Sequence, residues 1–299
     1  MLRVAGEVAA ALEEGRPVVA LESTIIAHGL PRPDNLRIAR EIEGTVREAG
    51  AVPATIAVLA GEVRVGLDVA SLEEIAGLPD VEKLGVRDLA PALVRGMAGA
   101  TTVASTAHIA ARAGIGVFAT GGLGGIHRGA SATFDESADL LALSMTPIVV
   151  VCSGVKSILD VAATLERLET LSVPVLGYDT DRMAGFYLTD SGHQLSWRVS
   201  SAADVASVHS ARGALGLPQA VIVANPLPEA EQMDPGLHDR VLAEALASAE
   251  AEGVAGKDVT PFILGRFHAR TGGESLRCNV TLVLRNAALA ARIAAAMAA

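Results

Sequence analysis

Apolar residues fall in short uninterrupted blocks along this 299-residue chain, and between the blocks they recur at helical spacing. Residues 17–21, 53–60, 115–120, 147–152, 173–177 and 220–224 are apolar at nearly every position. Strands covered on both faces have that pattern, whereas half-exposed strands alternate. The first intervening segment opens at Asp34 or Asn35, places Ala39, Ile42, Val46 and Ala49 on one side, and stops at Gly50. It predicts an amphipathic helix. Ser71-Leu-Glu-Glu74 has the form of a capping box and predicts the start of a short helix. Further helices are predicted over 105–113, ending at Gly114, from about Asp135 to Leu143, and over 157–169. Two long helices close the chain, one before Gly253 and one after Asn279. This alternation predicts an α/β fold, three layers (α/β/α) around a largely parallel central sheet. With no internal repeat and no long linker, residues 1–299 read as a single domain. The segment 179–201, with Phe186, Tyr187 and Trp197, breaks the alternation and reads as a hairpin or a lid.

Composition narrows the core and the partners. Hydrophobic residues make up 51% of the chain but aromatic ones only 3%, so Val, Ile, Leu and Ala must fill the interior. A formal net charge of −10 offers no basic stripe to a nucleic acid, but leaves a small phosphorylated ligand open. Cys152 and Cys278 stand alone, without a CxxC pair, as reduced cytoplasmic thiols do. The N-terminus lacks the basic start and apolar stretch of a signal peptide. The alanine-rich tail from Asn286 is broken by Arg292 and too short to span a bilayer, so it reads as a docking helix. A soluble cytoplasmic protein with no membrane partner is expected.

Arginine outnumbers lysine twenty-one to three, so Lys83, Lys156 and Lys257 mark places where arginine was not used. Lysine can lose its proton when desolvated and attack a carbonyl carbon, which arginine does not do. Lys156 is the best placed, just past the block 147–152. Glu22 follows 17–21 in the same way, and the glycine-rich loop 121–129 follows 115–120. Ligands of parallel sheets sit beyond the carboxyl ends of the strands, so these three features are expected to converge. Glu22 has apolar neighbours on both sides, which favours a raised pKa and a general acid, or else a structural carboxylate that accepts backbone N–H bonds. The glycine loop is not a dinucleotide fingerprint, because His127 stands where the third glycine belongs. Its amides can still approach an anion, with His127 and Arg128 as phosphate neighbours. Asp135, Glu136 and Asp139 suit either a helical first turn or a hard divalent ion that keeps most of its waters.

The motifs Ala20-Leu-Glu-Ser-Thr-Ile-Ile-Ala-His-Gly29, Gly99-Ala-Thr-Thr-Val103, Ala119-Thr-Gly-Gly-Leu-Gly-Gly-Ile-His-Arg-Gly129, Ser137-Ala-Asp-Leu140 and Val151-Cys-Ser-Gly-Val-Lys-Ser157 carry a resemblance. Asn225-Pro226, Thr260-Pro-Phe262 and Ser275-Leu276 with Asn279 extend it to nearly the whole chain. The sequence resembles the pseudouridine-5′-phosphate glycosidases, also named indigoidine synthase A-like. The resemblance implies reversible cleavage of the C–C glycosidic bond of pseudouridine 5′-phosphate to uracil and ribose 5-phosphate. Uracil C5 is a poor leaving carbanion, and the family's route opens the ribose ring, places a lysine amine on C1′ and leaves a Schiff base. By position, Lys156 matches the Schiff-base lysine, Glu22 the general acid, and Asp135 the ligand of a largely water-coordinated manganese ion. Lys83, Val103, Ser137, Ala138 and Asp139 match substrate-contacting positions, and Asn279 matches a further site residue. A homotrimer is also implied. Ser153 stands where an alanine is common, Glu136 where an apolar residue is, and His108 where methionine is. Two rival readings share parts of this set. Another Schiff-base phosphosugar lyase would use Lys156 without a uracil pocket, and a nucleotide-binding sensor would bind without turnover.

Overall fold

Alternation along each strand sorts the interior into two layers. The computed structural model describes residues 2–254 and 259–299, and Lys257 lies outside them. Eleven strands are found among the described residues. They are β1 (Leu2–Val4), β2 (Val18–Leu21), β3 (Val52–Leu59), β4 (Glu62–Val65), β5 (Glu82–Leu84) and β6 (Gly99–Thr101), then β7 (Val117–Ala119), β8 (Val149–Cys152), β9 (Val175–Tyr178), β10 (Trp197–Val199) and β11 (Val221–Ala224). The helices are α1 (Gly6–Glu13), α2 (Asp34–Glu48), α3 (Val69–Gly77), α4 (Val86–Val94), α5 (Val103–Arg112) and α6 (Ala130–Thr133), then α7 (Ala138–Leu143), α8 (Val161–Thr170), α9 (Ala202–Ala214), α10 (Pro235–Ala251), α11 (Val259–Arg270) and α12 (Glu274–Ala298). The sheet order is β1-β4-β3-β2-β7-β8-β11-β9-β10, and every pairing from β3 through β10 is parallel.

Val19, Leu21, Val117, Val149, Val151 and Val223 point to one face, where α2, α9, α10, α11 and α12 cover them. Val18, Ala20, Phe118, Val150 and Ile222 point to the other, under α1, α5, α7 and α8. Burying each branched side chain this way is worth about 1.5–3 kcal/mol. The chain is thus an α/β protein with a largely parallel sheet between helical layers, as its blocks of apolar residues predicted. The surprise is β3, whose second half leaves the parallel sheet and pairs antiparallel with β4 and β6. β1, β4, β5, β6 and β10, of three or four residues each, are absent from the sequence reading, and all but β6 are partly exposed.

Several predicted boundaries need correction. The short helix begins with Asp68, whose carboxylate accepts the Ser71 N–H, and not with a capping box at Ser71. Ser71 sits inside that helix, where its hydroxyl accepts from Arg64 Nη1. The predicted helix from Asp135 starts only at Ala138, because Ser137 is its cap and accepts the Asp139 N–H, while Glu136 lies in a bridge with Ile126. Asp135 and Asp139 therefore do not share a helical face. The helix predicted over 157–169 starts instead after its cap Asp160, whose carboxylate accepts the Ala163 N–H. The last helix starts before Asn279, at Glu274, and is long and apolar enough to cross a membrane by length and composition. Half of that apolar window is buried within the protein, and α12 packs on β2, β7 and β8. Segment 179–201 folds back on itself through the Arg182–Gln194 bridge and ends in β10 beside β9. Its Phe186 and Tyr187 are core residues, while Trp197 is exposed.

Candidate active site

Three adjacent strands deliver the reactive groups. Leu21 of β2 pairs with Ala119 of β7, and Ala119 with Val151 of β8, so the segments that follow leave the sheet side by side. Glu22, Thr120 with the glycine loop, and the turn carrying Lys156 meet there, as expected for carboxyl ends of parallel strands. The glycine loop and the lysine turn are stitched backbone to backbone. Ser153 N donates to Gly121 O (2.9 Å), Leu123 N to Gly154 O (2.9 Å), and Lys156 N to Leu123 O (3.1 Å). Gly154 holds φ at +87°, and a Cβ there would collide with the Ala184 carbonyl oxygen. A side chain at Gly124 would reach within 2.5 Å of Asp139 Oδ2. These glycines are required by close approach of backbone to neighbour.

Glu22 is 8% exposed and accepts a hydrogen bond from Thr120 Oγ1. Burial pushes its carboxyl above the usual carboxylate range, while Lys156, the Thr120 hydroxyl and Lys83 pull the other way. Desolvation dominates because the charged form loses its water. The next two residues are also anchored: Ser23 Oγ donates to Ile56 O (2.7 Å) and Thr24 Oγ1 to Thr101 O (2.7 Å). Glu22 therefore leaves a strand end fixed on both sides. Burial also lifts the Cys152 thiol to about 12, so it stays a neutral core residue beneath the site.

Glu22 and Lys156 line two connected chambers. The first, of about 50 Å³, is walled mostly by apolar groups, Ile25, Phe186, Pro261 and Leu264, with His28 and Asn279 as its polar edge. Phe186 carries φ of +64°, rare for an aromatic residue, and its amide donates to Ser153 O. The second, of about 320 Å³, is lined by Lys83, Val103, His127, Asp135, Ser137, Ala138 and Asp139, with Arg87 and Thr102 at its rim. Asp139 is buried and accepts from Ala104 N and Gly124 N, both at 2.9 Å. It ties the N-terminus of α5 to the glycine loop. His127 Nδ1 stands 3.7 Å from Asp135 Oδ2, and burial holds its pKa below the ordinary imidazole value although Asp135 opposes the shift.

All the residues predicted to be catalytic, substrate-contacting or metal-ligating except Arg128 line one chamber or the other. Arg128 turns to the backbone, with Nε donating to Ile158 O and Nη2 to Ser157 O, and so braces the turn after Lys156. Among the described residues no group of three or more His, Cys, Asp or Glu side chains converges as a metal cage. Asp135 lines the wide chamber beside His127, Asp139 takes a backbone donor on each oxygen, and Glu136 is bound by Arg167 Nε at 2.7 Å. One carboxylate such as Asp135 beside a roomy polar chamber fits a hard ion that keeps most of its waters. Sequence reasoning missed Thr120, Arg87, Phe186 and Asn286. Thr120 was visible as the polar residue ending an apolar block. Asn286 lies seven residues after Asn279, on the same buried stripe of α12.

A largely parallel α/β sheet that brings a lysine amine and a buried carboxyl of raised pKa to one mouth, between two chambers, defines an enzyme site. The chain belongs to the indigoidine synthase A-like family, which residues 7–296 match. A protein of Salinispora tropica named pseudouridine-5′-phosphate glycosidase is 62% identical over 299 residues, covering 100% of this chain and 92% of the relative. One of Streptomyces griseus with the same name is 62% identical, covering 99% of this chain and 92% of its own. The crystal structure of the prealnumycin C-glycosynthase AlnA in complex with ribulose 5-phosphate superposes with a TM-score of 0.92 at 39% identity, covering 100% of this chain and 97% of that one.

Proposed function

We propose that this enzyme reversibly cleaves the C–C glycosidic bond of pseudouridine 5′-phosphate to uracil and ribose 5-phosphate, through a Schiff base on Lys156 with Glu22 as general acid. The observation that carries the reading is the position of Lys156 and Glu22, with Lys83, on the wall shared by a narrow, largely apolar chamber and a wide polar one. A planar base suits the first, between Phe186 and Ile25, with Asn279 to pair its amide edge. A pentose phosphate suits the second, where Lys83 supplies charge and Ser137 a hydroxyl beside the α5 N-terminus. The pentose phosphate bound to AlnA and the names of the relatives support the same substrate class.

The residues then divide the work. Lys156 Nζ bonds to C1′ as the C1′–O4′ bond opens, and O4′ takes up the proton that the amine gives up. The nitrogen lone pair next expels uracil: the C1′–C5 bond breaks, its electrons stay on C5, and Glu22 delivers a proton there. Buried near Lys156 with its acidity weakened, Glu22 holds that proton where an exposed carboxyl would not. Water adds to the resulting imine, Glu22 takes the proton back, and ribose 5-phosphate leaves with the amine restored. A manganese ion held through Asp135 and otherwise by water would add positive charge to the chamber for the anionic end. Assembly as a homotrimer, residence in the cytoplasm and a single domain over 1–299 belong to the same proposal. Incubating the purified protein with pseudouridine 5′-phosphate and manganese should release equal amounts of uracil and ribose 5-phosphate. Binding without release would favour the sensor reading instead.

A further inference from the structure

Besides Asn279 in the narrow chamber, the last helix places a second amide beneath the site. Asn286 of α12 is fully buried and sits under the carboxyl ends of three successive strands. Its Nδ2 donates to Thr120 O after β7 (2.8 Å) and to Ser153 Oγ after β8 (3.1 Å). Its Oδ1 accepts from Asn225 Nδ2 after β11 (2.9 Å). The orientation of the amide is dictated, since a carbonyl such as Thr120 O can only accept. Two of the three strand ends it holds carry the chemistry. Thr120 donates its hydroxyl to Glu22, and Ser153 opens the turn that leads to Lys156 and holds Phe186 by its carbonyl.

We propose that Asn286 is a positioning residue of this site: its amide locks the ends of β7, β8 and β11 together, fixing the Thr120 hydroxyl on Glu22 and the turn that presents Lys156. The proposal rests on the roles of Glu22 and Lys156 given above. An apolar residue would suit this buried stripe at least as well for packing alone, because a buried amide must have every partner met. Here the partners are met, and they are strand ends rather than neighbouring helices. The charged groups that face Glu22 are Lys156, Lys83 and Asp139. Asn286 bonds to none of them, so its influence on Glu22 runs through Thr120. Releasing the Thr120 carbonyl withdraws the hydroxyl that favours the ionised carboxylate, which moves the acid's titration upward.

The test uses Asn286→Leu, neutral and with the same side-chain branching, and Asn286→Ala as a second variant should the first fail to fold. Both are expected to keep the wild-type circular dichroism spectrum and to lower kcat about 10- to 100-fold, as loss of alignment does, with KM nearly unchanged. The high-pH limb of kcat should move upward, as it should in Thr120→Val. Combining Thr120→Val with Asn286→Ala should shift the limb no further than the larger single shift, because both act on one route. Ser153→Ala, which spares the Thr120 bond, should leave the limb in place. Normal kcat per folded molecule, an unmoved limb or additive shifts would overturn the proposal. The Glu22 carboxyl is followed in parallel by infrared titration, identified by difference from Glu22→Gln. If wild-type protein releases no uracil, the functional reading fails. The positioning claim is then decided by whether the Asn286 variants move that titration.

Discussion

Lys156 and Glu22 were legible in the sequence for different reasons. Lysine stood out against an arginine background, and Glu22 stood out as a charge that interrupts an apolar run. Thr120 and Asn286 were not, because their roles depend on hydrogen bonds to residues 98 and 166 positions away. Lys156→Arg keeps the charge but not the nucleophile, so uracil release should be lost as completely as in Lys156→Ala. Measurable turnover in the arginine variant would remove the covalent role. Glu22→Gln should slow release about 10²- to 10⁴-fold, the usual worth of a general acid. The proposed mechanism requires the protonated carboxyl, and its pKa is raised, so kcat should fall with rising pH only above the range of an ordinary carboxylate. The linkage to stability has the same origin. A carboxyl whose pKa is higher when folded contributes stability that is present at low pH and lost as pH rises. Glu22→Gln should therefore melt higher than wild type at alkaline pH, as calorimetry can show, while losing activity.

At the scale of elements, strand blocks were readable because five of the six lie buried in the parallel sheet and were found within a few residues of their observed ends. The sixth, 53–60, was read as one parallel strand and instead divides its partners. Helix starts were less readable. The sequence offers several Ser and Asp residues near each start, and tertiary bonds choose among them: Asp68 over Ser71, Ser137 over Asp135, Asp160 over Ser157. Asp68→Ala should lower the midpoint of denaturant unfolding and leave kcat intact, as removal of a cap distant from the site does. The loop glycines behave differently. Gly154→Ala forces a side chain onto the Ala184 carbonyl at positive φ, so the Lys156 turn must rearrange. That variant should lose uracil release and also melt lower than wild type, as activity and melting measured together would show. Wild-type activity would mean the turn can move without consequence.

For the whole molecule, the parallel sheet brings Glu22 and Lys156 together because each follows a strand end, and β5, the loop before α7 and α12 add Lys83, Asp135 and Asn279 to the same site. What the sequence did not disclose is the division of that site into a narrow, largely apolar chamber and a wide polar one, which depends on Phe186 and α11 closing one side. Ribose 5-phosphate at a hundred times its Kd should stabilise the folded protein by about 2.7 kcal/mol if the wide chamber binds it, and Lys83→Ala should remove most of that gain. The account stands most directly on the covalent bond. Wild-type protein incubated with ribose 5-phosphate and borohydride, then digested and analysed by mass spectrometry, should carry one reduced pentose phosphate on Lys156. An adduct on Lys83 or Lys257, or no adduct while uracil is still released, would contradict it.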